Sequence, residues 1–357
     1  MRKNIEVTEQ LLFPPKIEKV ATFSVLRKEA KATQALAELK GFAPTIPNQN
    51  ILINAISLQE AQESSAIENI ITTQDELYKQ LVIKNSPINP ATKEVINYRE
   101  AIYNAYNRIR KKNVISVSDI VQIQETIIEN NAGIRKLPGT ALVNETTNKI
   151  VYTPPQSYDE ICFLLNNFCE YLNDDEDSLW KMAVLHYQFE IIHPFYDGNG
   201  RTGRILNILY LLLKNHIDTP ILYLSSYIIK NKETYYKLFR ETREKNNWEN
   251  WILFFLDGIE ITSKQTLEKI KSIKNLFETD LEKIKEVCPK LYSKELVELI
   301  FENPYSKIEF LINKLNINRK TASKYLKELE NNNFLTHVQI GKEIIYINND
   351  LMEILKQ

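Results

Sequence analysis

Apolar residues recur at helical spacing through most of this chain. Ile120, Ile123, Ile127 and Ile128 stripe one segment, Ile205, Leu206, Leu209, Leu212 and Leu213 a second, and Ala322, Tyr325, Leu326 and Leu329 a third. A period of three to four residues puts each set on one face, so the segments are predicted helices and the chain is read as mainly α. Breakers separate them. A proline-punctuated arm (Pro14, Pro15) precedes a helix through the Lys28 to Lys40 region that ends near Gly41 and Pro44. Two helical stretches occupy 51–83, and two amphipathic helices fill 91–130, joined at 111–118. Helices resume at 158–172 and 178–191, then run from about Thr202 through Ile259.

Two places turn toward strand. Thr140 to Val143 and Lys149 to Thr153 are β-prone arms around the turn-like Asn144 to Asn148, which predicts a hairpin. Near the C-terminus, Phe334 to Gln339 and Glu343 to Asn348 flank Gly341 and Lys342. That second hairpin follows a short helix (Lys307 to Lys314), a turn (Leu315 to Asn318) and a second helix (Arg319 to Glu330), so 291–357 reads as a small winged helix-turn-helix domain. No internal repeat or low-complexity linker interrupts the chain.

Composition narrows the classes. The 357 residues suit two or three domains, and 43% apolar content can build sizeable cores. With 45 basic and 46 acidic residues the net charge is −1, which predicts no global attraction to nucleic acid or anionic membrane. In the C-terminal domain nine basic residues face nine acidic ones, so Lys320, Lys324 and Lys327 on one helix face make DNA binding possible but not favoured over protein contact or dimerisation. Cys162, Cys169 and Cys288 have neither metal spacing nor an even count, as expected of buried free thiols in a reducing cytosol. An N-terminus without an apolar core, and no run of about 18 apolar residues, predict a cytoplasmic protein.

The least ordinary segment is His193 to Arg204, H-P-F-Y-D-G-N-G-R-T-G-R, which draws one of four histidines and three of eight glycines into twelve residues. Gly198, Gly200 and Gly203 let the backbone turn tightly and aim successive N–H groups inward. The segment opens at Thr202 into an apolar helix whose N-terminal dipole favours phosphate, with the amides around Gly198, Asn199 and Gly200 forming the cradle before it. Arg201 and Arg204 add two charges suited to bidentate phosphate contact. Asp197 is a lone carboxylate of the kind Mg²⁺ accepts when phosphate and water complete its shell. His193, held out of helix by Pro194, is placed for general-base work with a near-neutral pKa. An EF-hand is excluded, because Thr202 stands where its loop needs glycine and Ile208 where it needs glutamate. No G-x-x-x-x-G-K-[ST] occurs either. Phe195 reads as a core anchor, and His186 as packing beneath the loop rather than a metal ligand.

This segment resembles the signature H-x-F-x-D-G-N-G-R-x-x-R of the Fic (Fido) protein adenylyltransferases at every position. Ser64-Ser65-Ala66-Ile67-Glu68-Asn69 is similar to the inhibitory motif [ST]-x-x-x-E-[GN] of the Fic class that carries its inhibitory helix N-terminal in the same chain. Gly139 to Pro155 looks like the family's β-hairpin flap, and Tyr235-Tyr236 and Trp248 to Trp251 resemble its later helices. The resemblance implies a Fic-type helical bundle with a flap, divided as an N-terminal region with the inhibitory motif (1–85), a catalytic core (86–262), a connecting helix (263–290) and the winged domain (291–357). It implies ATP as substrate with Mg²⁺, AMP transfer to a Ser, Thr or Tyr hydroxyl, and His193 as base. Residues 198–204 and Tyr235 would bind nucleotide, with Arg201 on the α/β-phosphates and Arg204 on the γ-phosphate. Glu68, helped by Ser64 and Asn69, would hold Arg204 in the inhibited state. Gly200 argues against the phosphate-transferring branch, which resembles the pattern with lysine there. A protein target would dock on the flap at 139–155 by strand addition, and a homo-oligomer and self-modification are expected. Transfer of another nucleotide such as UMP, or a DNA-binding regulator whose Fic part senses nucleotide, are the alternatives.

Overall fold

A computed structural model describes residues 12–83, 88–143 and 150–356. Its N-terminal helices are α1 (Phe23–Phe42), α2 (Gln49–Ile67), α3 (Gln74–Val82), α4 (Pro90–Lys112) and α5 (Val117–Ile128). Side chains set their starts. Thr22 accepts from the Val25 amide, and Ser116 and Asp119 cap α5 reciprocally. Asn113 ends α4 in the left-handed region at φ 51°, which asparagine tolerates.

The flap arms follow as β1 (Leu142–Val143) and β2 (Ile150–Tyr152), antiparallel, with Leu142 opposite Tyr152 and Val143 opposite Ile150. The expected turn at Asn144 to Asn148 lies outside the described residues. Next come α6 (Tyr158–Asn173), α7 (Leu179–Ile192), α8 (Asn199–Leu213), α9 (Ser225–Lys230), α10 (Lys232–Lys245) and α11 (Trp248–Val287). Helix α7 has no polar face, and residues 179–189 are all buried, which makes it the central helix of the bundle. Trp251 of α11 donates its indole N–H to the Ala183 carbonyl (2.8 Å) and packs on Tyr187, locking α11 across α7.

Helix α11 is 40 residues long, about 60 Å at 1.5 Å per residue. It packs along α1 and then against the C-terminal module. The boundary expected after 262 therefore falls inside one uninterrupted helix. Thr262 and Ser263 are buried there, with the Thr262 hydroxyl bonded to the Gly258 carbonyl at 2.7 Å, so nothing loosens the chain at that point.

The C-terminal module contains α12 (Lys294–Glu302), β3 (Tyr305–Ser306), α13 (Ile308–Leu315), α14 (Arg319–Asn331), β4 (Thr336–Ile340), β5 (Glu343–Ile347) and α15 (Asn349–Lys356). The strands form an antiparallel sheet in the order β3-β5-β4, with Gly341 at φ 60° in the hairpin tip. Tyr305 stacks on Tyr78 of α3 at 5.4 Å and donates to Asp75 at 2.6 Å, which seats the module on the N-terminal helices.

Candidate active site

Helix α7 ends at His193, whose φ of 48° and ψ of 60° turn the chain out of the helix just before Pro194. Asn199 then staples the loop. Its side chain accepts from the Phe195 amide (2.9 Å) and donates to the Phe195 carbonyl (2.8 Å), while the Phe195 ring is fully buried. Gly198 caps α8 at φ 83°, and a Cβ there would lie 3.0 Å from Ile128, so only glycine lets the loop pass α5. The loop delivers the first orphan amides of α8 to one mouth.

Arg135 supports this turn from behind. Its Nε donates to the His193 carbonyl (2.8 Å), its backbone N–H to the Pro194 carbonyl (2.9 Å), and an Nη to the carbonyl of Pro155 at the base of the flap. Arg243 donates to Val151 of β2 (2.6 Å), and Tyr152 donates to the Ile191 carbonyl (3.1 Å). The flap and the loop are thereby bound to one frame.

His193 departs from the near-neutral pKa expected of it. Burial pulls it down to about 4, the Arg135 charge works in the same direction, and the Glu190 carbonyl with Glu68 and Asp197 offset part of the effect. The imidazole is therefore neutral at physiological pH and able to accept a proton.

Both arginines already hold carboxylates. Arg201, 3% exposed, pairs with Glu94 of α4 and, at 3.2 Å, with Asp197 Oδ1. Asp197 Oδ1 also accepts from the Gly198 amide, yet the side chain stays 69% exposed. Arg204 donates through Nε to Ser64 Oγ (2.7 Å), and through Nη2 to the Ser64 carbonyl (2.9 Å) and Glu68 Oε1 (2.8 Å). Glu68 sits one residue beyond the end of α2. Desolvation would raise its pKa, but the Arg204 guanidinium, as charge and as donor, outweighs this and leaves it below the ordinary glutamate value. Asn69 follows at φ 62°, a conformation that favours Asn or Gly and lets the chain leave the helix there. Gly200 completes the contact, because a Cβ at that position would lie 2.4 Å from Glu68 Oε1. Gly203 likewise makes room, its missing Cβ falling 2.6 Å from Glu190 Oε1, and Thr202 is buried beside it.

Tyr235 packs into the core. Expected beside the nucleotide base, it is 5% exposed in an aromatic cluster with Trp251 and Phe255, and its hydroxyl lies 2.9 Å from His186 Nε2. The next residue, Tyr236, is the exposed one, because α10 turns successive residues about 100° apart. His186, with Asn207 on its other nitrogen at 3.1 Å, is a satisfied core histidine. The structure adds three residues that the sequence reading missed: Glu94, Arg135 and the half-buried Glu190, whose carboxyl desolvation pushes up to about 7. No motif flags them, since each acquires its role from a helix distant in sequence.

Among the described residues no helix is long and apolar enough to cross a membrane, and no three His, Cys, Asp or Glu side chains cluster as metal ligands.

Three family models match the chain in order: Fic/DOC family N-terminal over residues 26–107, Fic/DOC family over 114–211, and protein adenylyltransferase SoFic-like, C-terminal domain, over 276–351. A probable protein adenylyltransferase of Aquifex aeolicus is 27% identical over 199 residues, 54% of this chain and 57% of its own length. The protein adenylyltransferase fic-1 of Caenorhabditis elegans is 28% identical over 102 residues, 28% of this chain and 19% of its own. The chain thus spans less than two thirds of either relative. The crystal structure of a Fic family protein from Desulfovibrio desulfuricans superposes with a TM-score of 0.56 at 19% identity, covering 91% of this chain and 96% of that one.

Proposed function

Since this chain belongs to the Fic/DOC family, we propose that it is a protein adenylyltransferase, moving AMP from ATP to a Ser, Thr or Tyr hydroxyl of a protein, itself included, and that Glu68 restrains it. The observation that carries the reading is the hold of Ser64 and Glu68 on Arg204 in a loop whose amides, arginines and histidine share one mouth.

The target hydroxyl oxygen attacks the α-phosphorus, the bond to the bridging oxygen breaks, and pyrophosphate leaves. The hydroxyl proton passes to His193, neutral because burial holds its pKa near 4. The α8 amides at 199–201 and Arg201 stabilise charge growing on the phosphate oxygens. For that contact Arg201 exchanges Glu94 or Asp197 for phosphate.

The site fits a divalent cation through one protein ligand only. Asp197, 69% exposed, would hold Mg²⁺ with phosphate and water completing the shell, and the ion would neutralise phosphate charge. Arg204 is the γ-phosphate partner, and while it is bound to Glu68 the nucleotide lies out of line for attack. The flap offers the target its exposed Val143 and Ile150 beside strand edges.

We read 291–357 as a winged helix-turn-helix in a protein-contact or dimerising role, and 1–85 as the inhibitory region. Its exposed Lys320, Lys324 and Lys327 are matched by acids elsewhere in the module, so DNA binding is not the favoured use. Free thiols at 162, 169 and 288 suit the cytoplasm. The test is to incubate a Glu68→Gly protein with labelled ATP, UTP or CTP and a lysate, reading labelled bands and intact mass. Label from ATP alone supports the reading; label from UTP alone transfers the proposal to UMP, and none from any nucleotide removes it.

A further inference from the structure

Helix α2 also borders a cleft, through Gln59, Glu60 and Glu63. About 650 Å³ lies between α2, α9, α11 and α15, within the range of small-molecule sites. Its lining is polar. Ser226 contributes a hydroxyl, and Lys230, Lys269 and Lys356 contribute ammonium groups.

The charges do not cancel. Two further lining ions are engaged with partners on their own helix: Lys264 with Glu260, and Glu268 with Lys271. Glu60 at the back wall is fully buried, accepting from Tyr98 (3.1 Å) and from the Ser225 hydroxyl (2.5 Å). That leaves Lys230 and Lys269 beside Glu63, with Lys356 on the α15 wall, where its charge also reaches Asp75 of α3. Among the described residues the ammonium groups of Lys230 and Lys356 have no ion pair or hydrogen bond, while Lys269 donates to Gln59 Oε1 (2.6 Å), and Gln59 passes a bond on to Glu63 (3.2 Å). Lysines with a free hydroxyl beside them are the chemistry of a phosphate-binding site.

The cleft is also wired to the inhibitory contact. Gln59 and Glu63 precede Ser64 on the same helix, and Ser64 carries two of the three bonds to Arg204. Glu60 borders both the cleft and a cavity of about 10 Å³ that Arg204 lines.

We propose that this cleft is a second anion site, built for a small phosphate-bearing molecule, and that its occupancy loosens the hold of α2 on Arg204. An anion drawn to Lys230, Lys269 and Lys356 takes Lys269 from Gln59. The Gln59–Glu63 turn then loses its anchor to α11, and Ser64 with Glu68 moves with it. The C-terminal module enters the same scheme, since α15 supplies one wall.

Inorganic phosphate is the probe, followed by calorimetry and by hydrogen exchange of the α2 amides. The full-length parent should bind at two sites, the cleft and the α8 loop, with faster exchange at 59–68 when phosphate is present. In Lys230→Ala/Lys356→Ala, whose side chains are exposed and whose loss leaves basal transfer intact, the cleft site should weaken about tenfold or more while the loop site stays. The exchange response should vanish. Unchanged stoichiometry and affinity in that variant would overturn the site; a lost site without any phosphate effect on α2 exchange in the parent would overturn the coupling. Neither readout requires transfer, so its outcome is separate from that of the adenylyltransferase reading.

Discussion

Replacing Glu68 by glycine removes one charge-assisted hydrogen bond, Arg204 Nη2 to Glu68 Oε1 at 2.8 Å, and leaves the two bonds to Ser64 in place. Such a bond contributes roughly 1.5–3 kcal/mol when dry. The Glu68 side chain is 37% exposed, so screening brings this to about 1–2 kcal/mol. If that energy must be spent before Arg204 can meet the γ-phosphate, its removal raises transfer by about 5–30-fold. Stability should suffer little, because residue 68 lies beyond the last turn of α2; a melting-point drop of no more than about 2–4 °C is expected. Adding Ser64→Ala should raise transfer further, since the Ser64 hydroxyl still holds Nε. Arg204→Ala should be slow, and Glu68→Gly should not rescue it, because both changes act on one guanidinium. The assay is self-labelling from α-labelled ATP, with intact mass as control. Transfer at the parent rate in a folded Glu68→Gly protein that still binds ATP would refute the clamp, as would full rescue of Arg204→Ala.

His193→Ala should abolish transfer while ATP affinity, set by the α8 amides and arginines, stays within about twofold; residual transfer above a few per cent would remove His193 as the base. Because burial holds His193 near pH 4, transfer should lose its base only as pH falls toward 4, with no inflection of this group near 6.5, and a limb at 6.5 would contradict that environment. Asp197→Ala should shift the Mg²⁺ concentration for half-maximal transfer upward about tenfold or more, whereas an unchanged Mg²⁺ titration would place the ion elsewhere. Glu60, which burial pushes up to about 8, binds a proton in the folded protein that the unfolded chain has released. Its contribution is thus fully present below about pH 4.5 and lost as pH rises through about 8. Glu60→Gln should flatten that decline in melting temperature between about pH 4.5 and 8, and an identical slope in parent and variant would mean the carboxyl is ionised throughout.

The sequence by itself determined what depends on neighbours a few residues apart. Periodic isoleucines and leucines placed α5, α8 and α14, and Gly198, Gly200 and Asp197 marked a tight turn before a helix, because helix faces and tight turns are local properties. It did not reveal α15 or α12, short helices whose few apolar residues gain meaning only against α11 and α2. Nor did it reveal that α11 continues through 262, since the helix is held there by burial of Thr262 and Ser263 against other elements. The site divides in the same way. Arg204 was legible as a phosphate partner from its spacing, and its link to Glu68 came only through family likeness; the bond itself spans 136 residues and exists because α2 crosses the mouth of α8. The burial of Tyr235 was not legible either, because α10 turns it into the aromatic core beside His186. Arg135 and Glu94 carried no local signal at all. Their partners, the His193 carbonyl and Arg201, are brought to them by helix packing, and so are the burial that pulls His193 down to about 4 and the close approach of Glu68 to Gly200 and of Glu190 to Gly203.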